Sequence, residues 1–110
     1  MIESVGIVLN IYADRADEFE AAFRENELPT WEDFFARRRM LVATLSRADI
    51  STRPVEGAVQ YLLVVVFADK RGHHEHDGDP RFEAWNRKAD VYQIAQPYVF
   101  GGPAIVSQGP

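Results

Sequence analysis

Residues Val59–Gln96 read VQYLLVVVFA, then DKRGHHEHDGDP, then RFEAWNRKADVYQIAQ. The first part is apolar on both parities, with Gln60, Leu62, Val64 and Val66 on one and Tyr61, Leu63, Val65 and Phe67 on the other. Side chains alternate between the two faces of a strand, so this pattern predicts a strand covered on both sides. The last part sets Phe82, Trp85, Ala89 and Tyr92 along one helical side and opens on Asp79-Pro80, an N-cap followed by proline at the first helical position. That helix is expected to run to about Gln96, where Pro97 stops it. The middle part has no apolar period and reads as a polar, histidine-bearing loop.

Outward from there, Ser4–Ala13 is a β-branched run, apolar on both parities, and reads as a central strand. Asp14 is expected to cap a helix reaching about Asn26, with Ala16, Phe19, Ala22 and Phe23 as its buried stripe. Leu28-Pro29 is expected to break it, and Thr30 with Asp33 to cap a short second helix from Trp31 to about Arg38. The run Arg37–Arg39 reads as a solvated helix end whose charge suits the dipole. Met40–Arg47 is a second strand, and the turn 48–57 suits an antiparallel hairpin better than a crossover. Tyr98–Ser107 is a fourth strand, and its Gly101-Gly102-Pro103 is tolerable only at an edge or bulge.

The predicted order is β-α-β-β-α-β: an α+β, ferredoxin-like fold with a four-stranded antiparallel sheet and the first helix split in two, in one domain spanning 1–110. Both helices of that fold cover one sheet face. The other face should then be polar in a monomer, yet both parities of Val59–Ala68 are apolar. An uncovered apolar face of this kind predicts a homodimer packed sheet to sheet.

Composition removes several classes of function. Seventeen acidic against twelve basic residues give a net charge of −5, so a phosphate backbone is repelled and no nucleic-acid partner is expected. Without cysteine there is no disulfide, thiolate metal site or thiol nucleophile. The longest apolar run, Tyr61–Ala68, is far below the roughly 20 residues of a membrane span. No secretory leader pattern is visible, and a cytoplasmic protein is expected.

Candidate chemistry concentrates in His73, His74, Glu75, His76 and Asp77, which include all three histidines. Three readings stand: a solvated loop, a pocket-rim histidine (His73 or His74) acting as acid or base, and a metal site using His74 and His76, which point the same way on an extended backbone. Asn10 is a polar residue in the middle of the first strand and must find partners if buried. Trp31, Phe35, Phe82 and Trp85 either line a pocket or fill the core, and Tyr12 can offer a hydroxyl. There is no phosphate loop, nucleophile elbow or dinucleotide fingerprint.

The strand VGIVLNIYA entering a helix, the segment ENELPTWEDFF, the strand QYLLVVVFA, the helix start DPRFEAW and the closing QPYVFGG together resemble the dimeric α/β-barrel superfamily. That superfamily includes antibiotic-biosynthesis-type monooxygenases, EthD-like proteins and stress-responsive barrel proteins. The resemblance implies an obligate dimer with one pocket per subunit between sheet and helices. It also implies that Asn10 and Trp85 stand where haem-degrading and cofactor-free members place pocket residues. Haem degraders carry an iron-binding histidine after that tryptophan; here none follows His76, so no cofactor is expected. The resulting expectation is a cofactor-free monooxygenase or related enzyme acting on an aromatic or polyketide-like compound. His73, His74 and Asn10 would be its catalytic residues, and Trp85, Tyr12, Trp31, Phe35 and Phe82 would bind substrate. The alternatives are a non-catalytic small-ligand or accessory protein, and a metal site on 73–77.

Overall fold

The computed structural model describes residues 1–109. Strand β1 (Glu3–Tyr12) lies inside a sheet of order β2-β3-β1-β4, with β2 at Met40–Arg47, β3 at Ala58–Phe67 and β4 at Gln93–Pro103. Every pairing is antiparallel, which is the ferredoxin-like arrangement. Register settles which parity faces where. Val5, Ile7, Leu9 and Ile11 share a face with Tyr61, Leu63, Val65 and Phe67, and these meet Phe19, Phe23, Trp31 and Trp85 from the helices in one core. Each fully buried aromatic there contributes about 1.5–3 kcal/mol. The opposite face carries Val8, Leu62, Val64, Val66, Tyr98 and Phe100 and has no helix over it.

Helix α1 (Ala16–Asn26) follows a short 3₁₀ turn, Ala13–Arg15, so Asp14 does not cap it. Helix α2 (Leu28–Ala36) begins where a break was expected. Proline is tolerated in a first helical turn, and Glu27 between the two helices keeps near-helical angles. Thr30 consequently lies inside the helix, buried, and caps nothing.

The largest correction concerns 69–80. The expected loop is a helix, α3 (Lys70–Asp77), whose N-cap Asp69 accepts from the Gly72 amide at 2.9 Å. Its buried side consists of Gly72, His76 and half-buried His73. No apolar period marks it because the residues facing inward are glycine and histidine. Gly72 lets the helix approach closely: a Cβ there would stand 2.9 Å from the Arg39 carbonyl oxygen. On the outer side, Glu75 receives Arg37 at 3.5 Å, Arg39 at 3.3 Å and Arg71 at 3.3 Å. Two of the arginines read as a solvated helix end therefore tether α3.

Helix α4 (Pro80–Ala89) starts as expected, with Asp79 accepting from the Arg81 amide at 2.8 Å, but ends well before Gln96. A 3₁₀ turn, Asp90–Tyr92, follows, and the Arg15 guanidinium donates to the Val91 carbonyl at 3.1 Å, satisfying a helix-end acceptor. The β-prone Val91-Tyr92-Gln93-Ile94 then enters β4. Pro97 stops no helix; it sits where the β1–β4 register shifts between Val8 and Asn10, a bulge that needs no proline N–H. Strand β4 is an edge strand and closes at Pro103 rather than Ser107.

Gly72→Ala should lower stability by about 1–3 kcal/mol through backbone overpacking, read as a shifted urea midpoint. Gly102→Ala, where a Cβ meets nothing within 4 Å, should stay within about 0.5 kcal/mol.

Candidate functional site

A cavity of about 270 Å³ lies between the helix-covered sheet face and α1, α3 and α4. Its body is apolar, with Ile7, Leu9 and Leu63 on the sheet side and Trp31, Phe82 and Trp85 on the helix side. Its polar wall is Glu27, His73, His76 and Asp77.

That wall is linked by three hydrogen bonds and one ion-pair contact, the one between His73 and Asp77. The Glu3 carboxylate meets His73 Nδ1; His73 Nε2 meets Asp77 Oδ2 at 3.0 Å; Asp77 Oδ1 meets His76 Nδ1 at 3.3 Å; His76 Nε2 meets Glu27 Oε2 at 2.9 Å. Helical spacing puts 73, 76 and 77 on one side of α3, where carboxylate and imidazole alternate. Phe67 stacks on His73 with centroids 5.0 Å apart, and Phe82 lies 4.4 Å from His76. Glu27 is 3% exposed and His76 5%, while Asp77 reaches solvent. The chain therefore runs from the interior to water.

Burial alone would lower the His76 pKa, but the hydrogen bonds its ring donates to Asp77 and Glu27, and their charges, outweigh it and push it up to about 9. Burial opposes the charge on Asp77 too, yet the bond to His76 and the nearby imidazoles hold it below its usual range. His76 is thus an imidazolium at neutral pH, with both ring nitrogens engaged. Three further polar atoms of cavity-lining residues are buried with no partner: Glu27 Oε1, Trp31 Nε1 and Gln93 Oε1. A second depression of similar size, near α1 and β2, is lined by Glu20, Arg24, Arg47 and Tyr61. There Arg47 pairs with Glu20 and Asp17, and the Tyr61 hydroxyl donates to Glu20 at 2.5 Å, so most of its polar groups satisfy one another.

The structure brings together His73, His76, Trp31, Phe82 and Trp85 from the residues singled out in sequence. Four others lie elsewhere. Asn10 has the opposite parity to the cavity-lining residues of β1; fully buried, it accepts from Gln60 Nε2 at 2.8 Å and donates to the Gln96 carbonyl at 3.3 Å. Tyr12 shares that parity and is exposed, as is Phe35 on the outside of α2. His74 points to solvent from α3. The shared direction of His74 and His76 required an extended backbone; on a helix, positions i and i+2 diverge. Among the described residues no group of three His, Asp or Glu side chains is placed to hold a metal, and no helix is long and apolar enough to cross a membrane.

Sequence reasoning missed Glu27 and Glu3. Both had a signal. Glu27 stands four residues after Phe23, on the stripe Ala16, Phe19, Phe23, and Glu3 shares the parity of Val5 and Ile7.

No family model matches the sequence, and no curated protein is similar to it. Solved structures share its fold. Rv0793 from Mycobacterium tuberculosis superposes with a TM-score of 0.77 at 13% identity over 99% of this chain and 100% of its own. A candidate antibiotic biosynthesis monooxygenase from Caulobacter crescentus gives 0.75 at 22% over 96% and 91%. A point mutant of SnoaB, a cofactor-independent oxygenase from Streptomyces nogalater, gives 0.66 at 17% over 96% and 95%. The resemblance read from the sequence holds at the level of fold.

His76→Ala should cost about 3 kcal/mol by leaving Glu27 buried without its partner, while His74→Ala should be neutral within about 0.5 kcal/mol. The His76 pKa is raised on folding, so its contribution is full below about 6.5 and is lost as pH rises through about 9. The stability gap between the natural chain and His76→Gln should therefore narrow between pH 7 and 10 in thermal melts.

Proposed function

We propose that this chain, which has the fold of the antibiotic biosynthesis monooxygenase structures, is a homodimeric enzyme that oxygenates a planar aromatic or polyketide-like compound without a cofactor. One observation carries the reading: an apolar slot walled by Trp31, Phe82 and Trp85 meets a carboxylate–imidazole chain that leads to solvent. The slot orients a flat molecule and excludes water; the chain takes up a proton and disperses it. The likeness to a cofactor-independent oxygenase, one of fold at 17% identity, makes this the chemistry to test first.

The reaction balances without a cofactor when the substrate supplies the electrons. A base removes one proton from an activated CH₂, and the carbanion gives one electron to O₂. The resulting radical and superoxide join through a new C–O bond, forming a hydroperoxide after protonation. Loss of water then leaves a carbonyl, so CH₂ and O₂ become C=O and H₂O. In this scheme Glu27, whose Oε1 has no partner, is the base; the His76 imidazolium and Asp77 hold it, His73 stands at the solvent end of the wall, and Trp31, Phe82 and Trp85 hold the ring. His74, Asn10, Tyr12 and Phe35 have no part in it.

The bare sheet face supports the dimer. Phe100 is 74% exposed and Leu62 44%, and with Val8, Val64, Val66 and Tyr98 they form an uncharged apolar surface that a two-fold copy would bury. A cytoplasmic location belongs to the same reading, supported by the cysteine-free composition.

An oxygen electrode with anthrone- and naphthol-type compounds tests the activity. The expected result is one O₂ consumed per substrate, unaffected by chelator. A compound that binds and is recovered unchanged, with no uptake across the panel, would instead establish a non-catalytic binder, a reading favoured by the engagement of both ring nitrogens of His76. Val64→Asp should convert the dimer to monomer in sedimentation; a variant that still sediments as dimer removes the sheet-to-sheet interface.

A further inference from the structure

We propose that Glu27 is the specificity residue of the cavity: its free Oε1 accepts a hydrogen bond from an O–H of a neutral ligand, and an oxygen of the same ligand takes the Trp31 indole N–H. The proposal rests on reading the cavity as a small-molecule site. Glu27 Oε2 is held by His76 at 2.9 Å, whereas Oε1 is buried without any partner, in a residue only 3% exposed. Buried polar atoms are rarely left unpaired, and a carboxylate oxygen is among the costliest to strand. One turn on, the Trp31 amide donates to the Glu27 carbonyl at 3.0 Å, placing the two side chains on the same side of the helix. The Trp31 indole N–H is likewise buried and unpartnered, and both residues line the cavity.

The chemical types then select the ligand. An ionised carboxylate only accepts and an indole only donates. A partner for both must offer a donor and an acceptor, as a phenol or an enol beside a carbonyl does. Gln93 Oε1, also unpartnered and cavity-lining, asks for a second donor. A carboxylate ligand supplies no donor and brings its charge against Glu27 and Asp77; an ammonium ligand leaves the indole unpaired. Since a cavity of about 150 Å³ admits benzene, one of about 270 Å³ accommodates a two-ring compound. A phenol donating to Glu27 also gains electron density in its ring, which favours the electron transfer to oxygen proposed above.

The test is titration of the natural chain by calorimetry with 2-naphthol, 2-methoxynaphthalene, naphthalene and 2-naphthoate. The methoxy compound keeps the acceptor oxygen but lacks the donor. The expected result is 2-naphthol tighter than the methoxy compound by about 10-fold or more, the span of a hydrogen bond to a charged group, with 2-naphthoate weakest. In Glu27→Gln, with the amide carbonyl facing His76 and its NH₂ facing the cavity, that preference should vanish. Equal binding of the three neutral compounds to the natural chain would overturn the role of Glu27 and leave the cavity reading standing. Binding of none of them would overturn both. If Glu27→Gln fails to fold once His76 loses its counter-charge, the ligand series on the natural chain still decides, and Trp31→Phe, which keeps the ring and removes the N–H, should weaken 2-naphthol several-fold.

Discussion

A carboxylate buried beside an imidazolium fixes the helical half of this molecule. Glu27 joins α1 to α2, and His76 projects from α3; neither finds water, so each must find the other. Breaking such a pair strands a charge in a low-dielectric interior, at a cost of about 3–5 kcal/mol, a large part of a small domain's stability. One register of α3 against the α1–α2 junction therefore dominates. The fork of three arginines on Glu75 and the close approach at Gly72 restrain the same helix from its other sides. The cavity wall inherits its rigidity from that docking, since His73 and Asp77 ride on the same two turns.

The sheet separates two tasks by parity. Odd residues of β1 and β3 face the helices and the cavity; even ones form the bare apolar face. Asn10 and Gln60 sit between these demands, buried on the even side and bonded to each other, beside the irregular β1–β4 pairing. A polar pair of this kind opposes a slip by one residue, which would carry every side chain of β1 to the wrong face. Asn10 thus serves the sheet's register, although its isolation among apolar neighbours made it resemble a site residue.

The fold was legible because its signals are apolar. Val59–Ala68 and Ser4–Ala13 could only be buried strands, and Asp79-Pro80 could only open a helix. The site was half legible. Trp31, Phe82 and Trp85 announced themselves as large aromatics, but α3 buries glycine and histidine, which a hydrophobic period does not register, and so a helix looked like a loop. That one error inverted the histidines: on a helix His76 turns inward and His74 outward. Glu27 escaped notice because an acid on an apolar stripe looks like the end of the stripe. The premature end of α4 was hidden for a different reason, since a carbonyl of the 3₁₀ turn that follows it, Val91, is satisfied by Arg15, remote in sequence.

The strand order also dictates a sequence of events during synthesis. β1 is made first, yet its partners are β3 and β4, and Glu3 pairs with Pro103. At about 5–20 residues per second on the ribosome, the strand apolar on both faces waits on the order of 5–20 seconds for its last neighbour. The β2–β3 hairpin is local and can close in that interval, and β1 can join β3, but its other edge stays open until β4 is made. Until the final strand arrives, one edge of the central strand has no neighbour, and that wait is the interval in which the unfinished chain is most open to association.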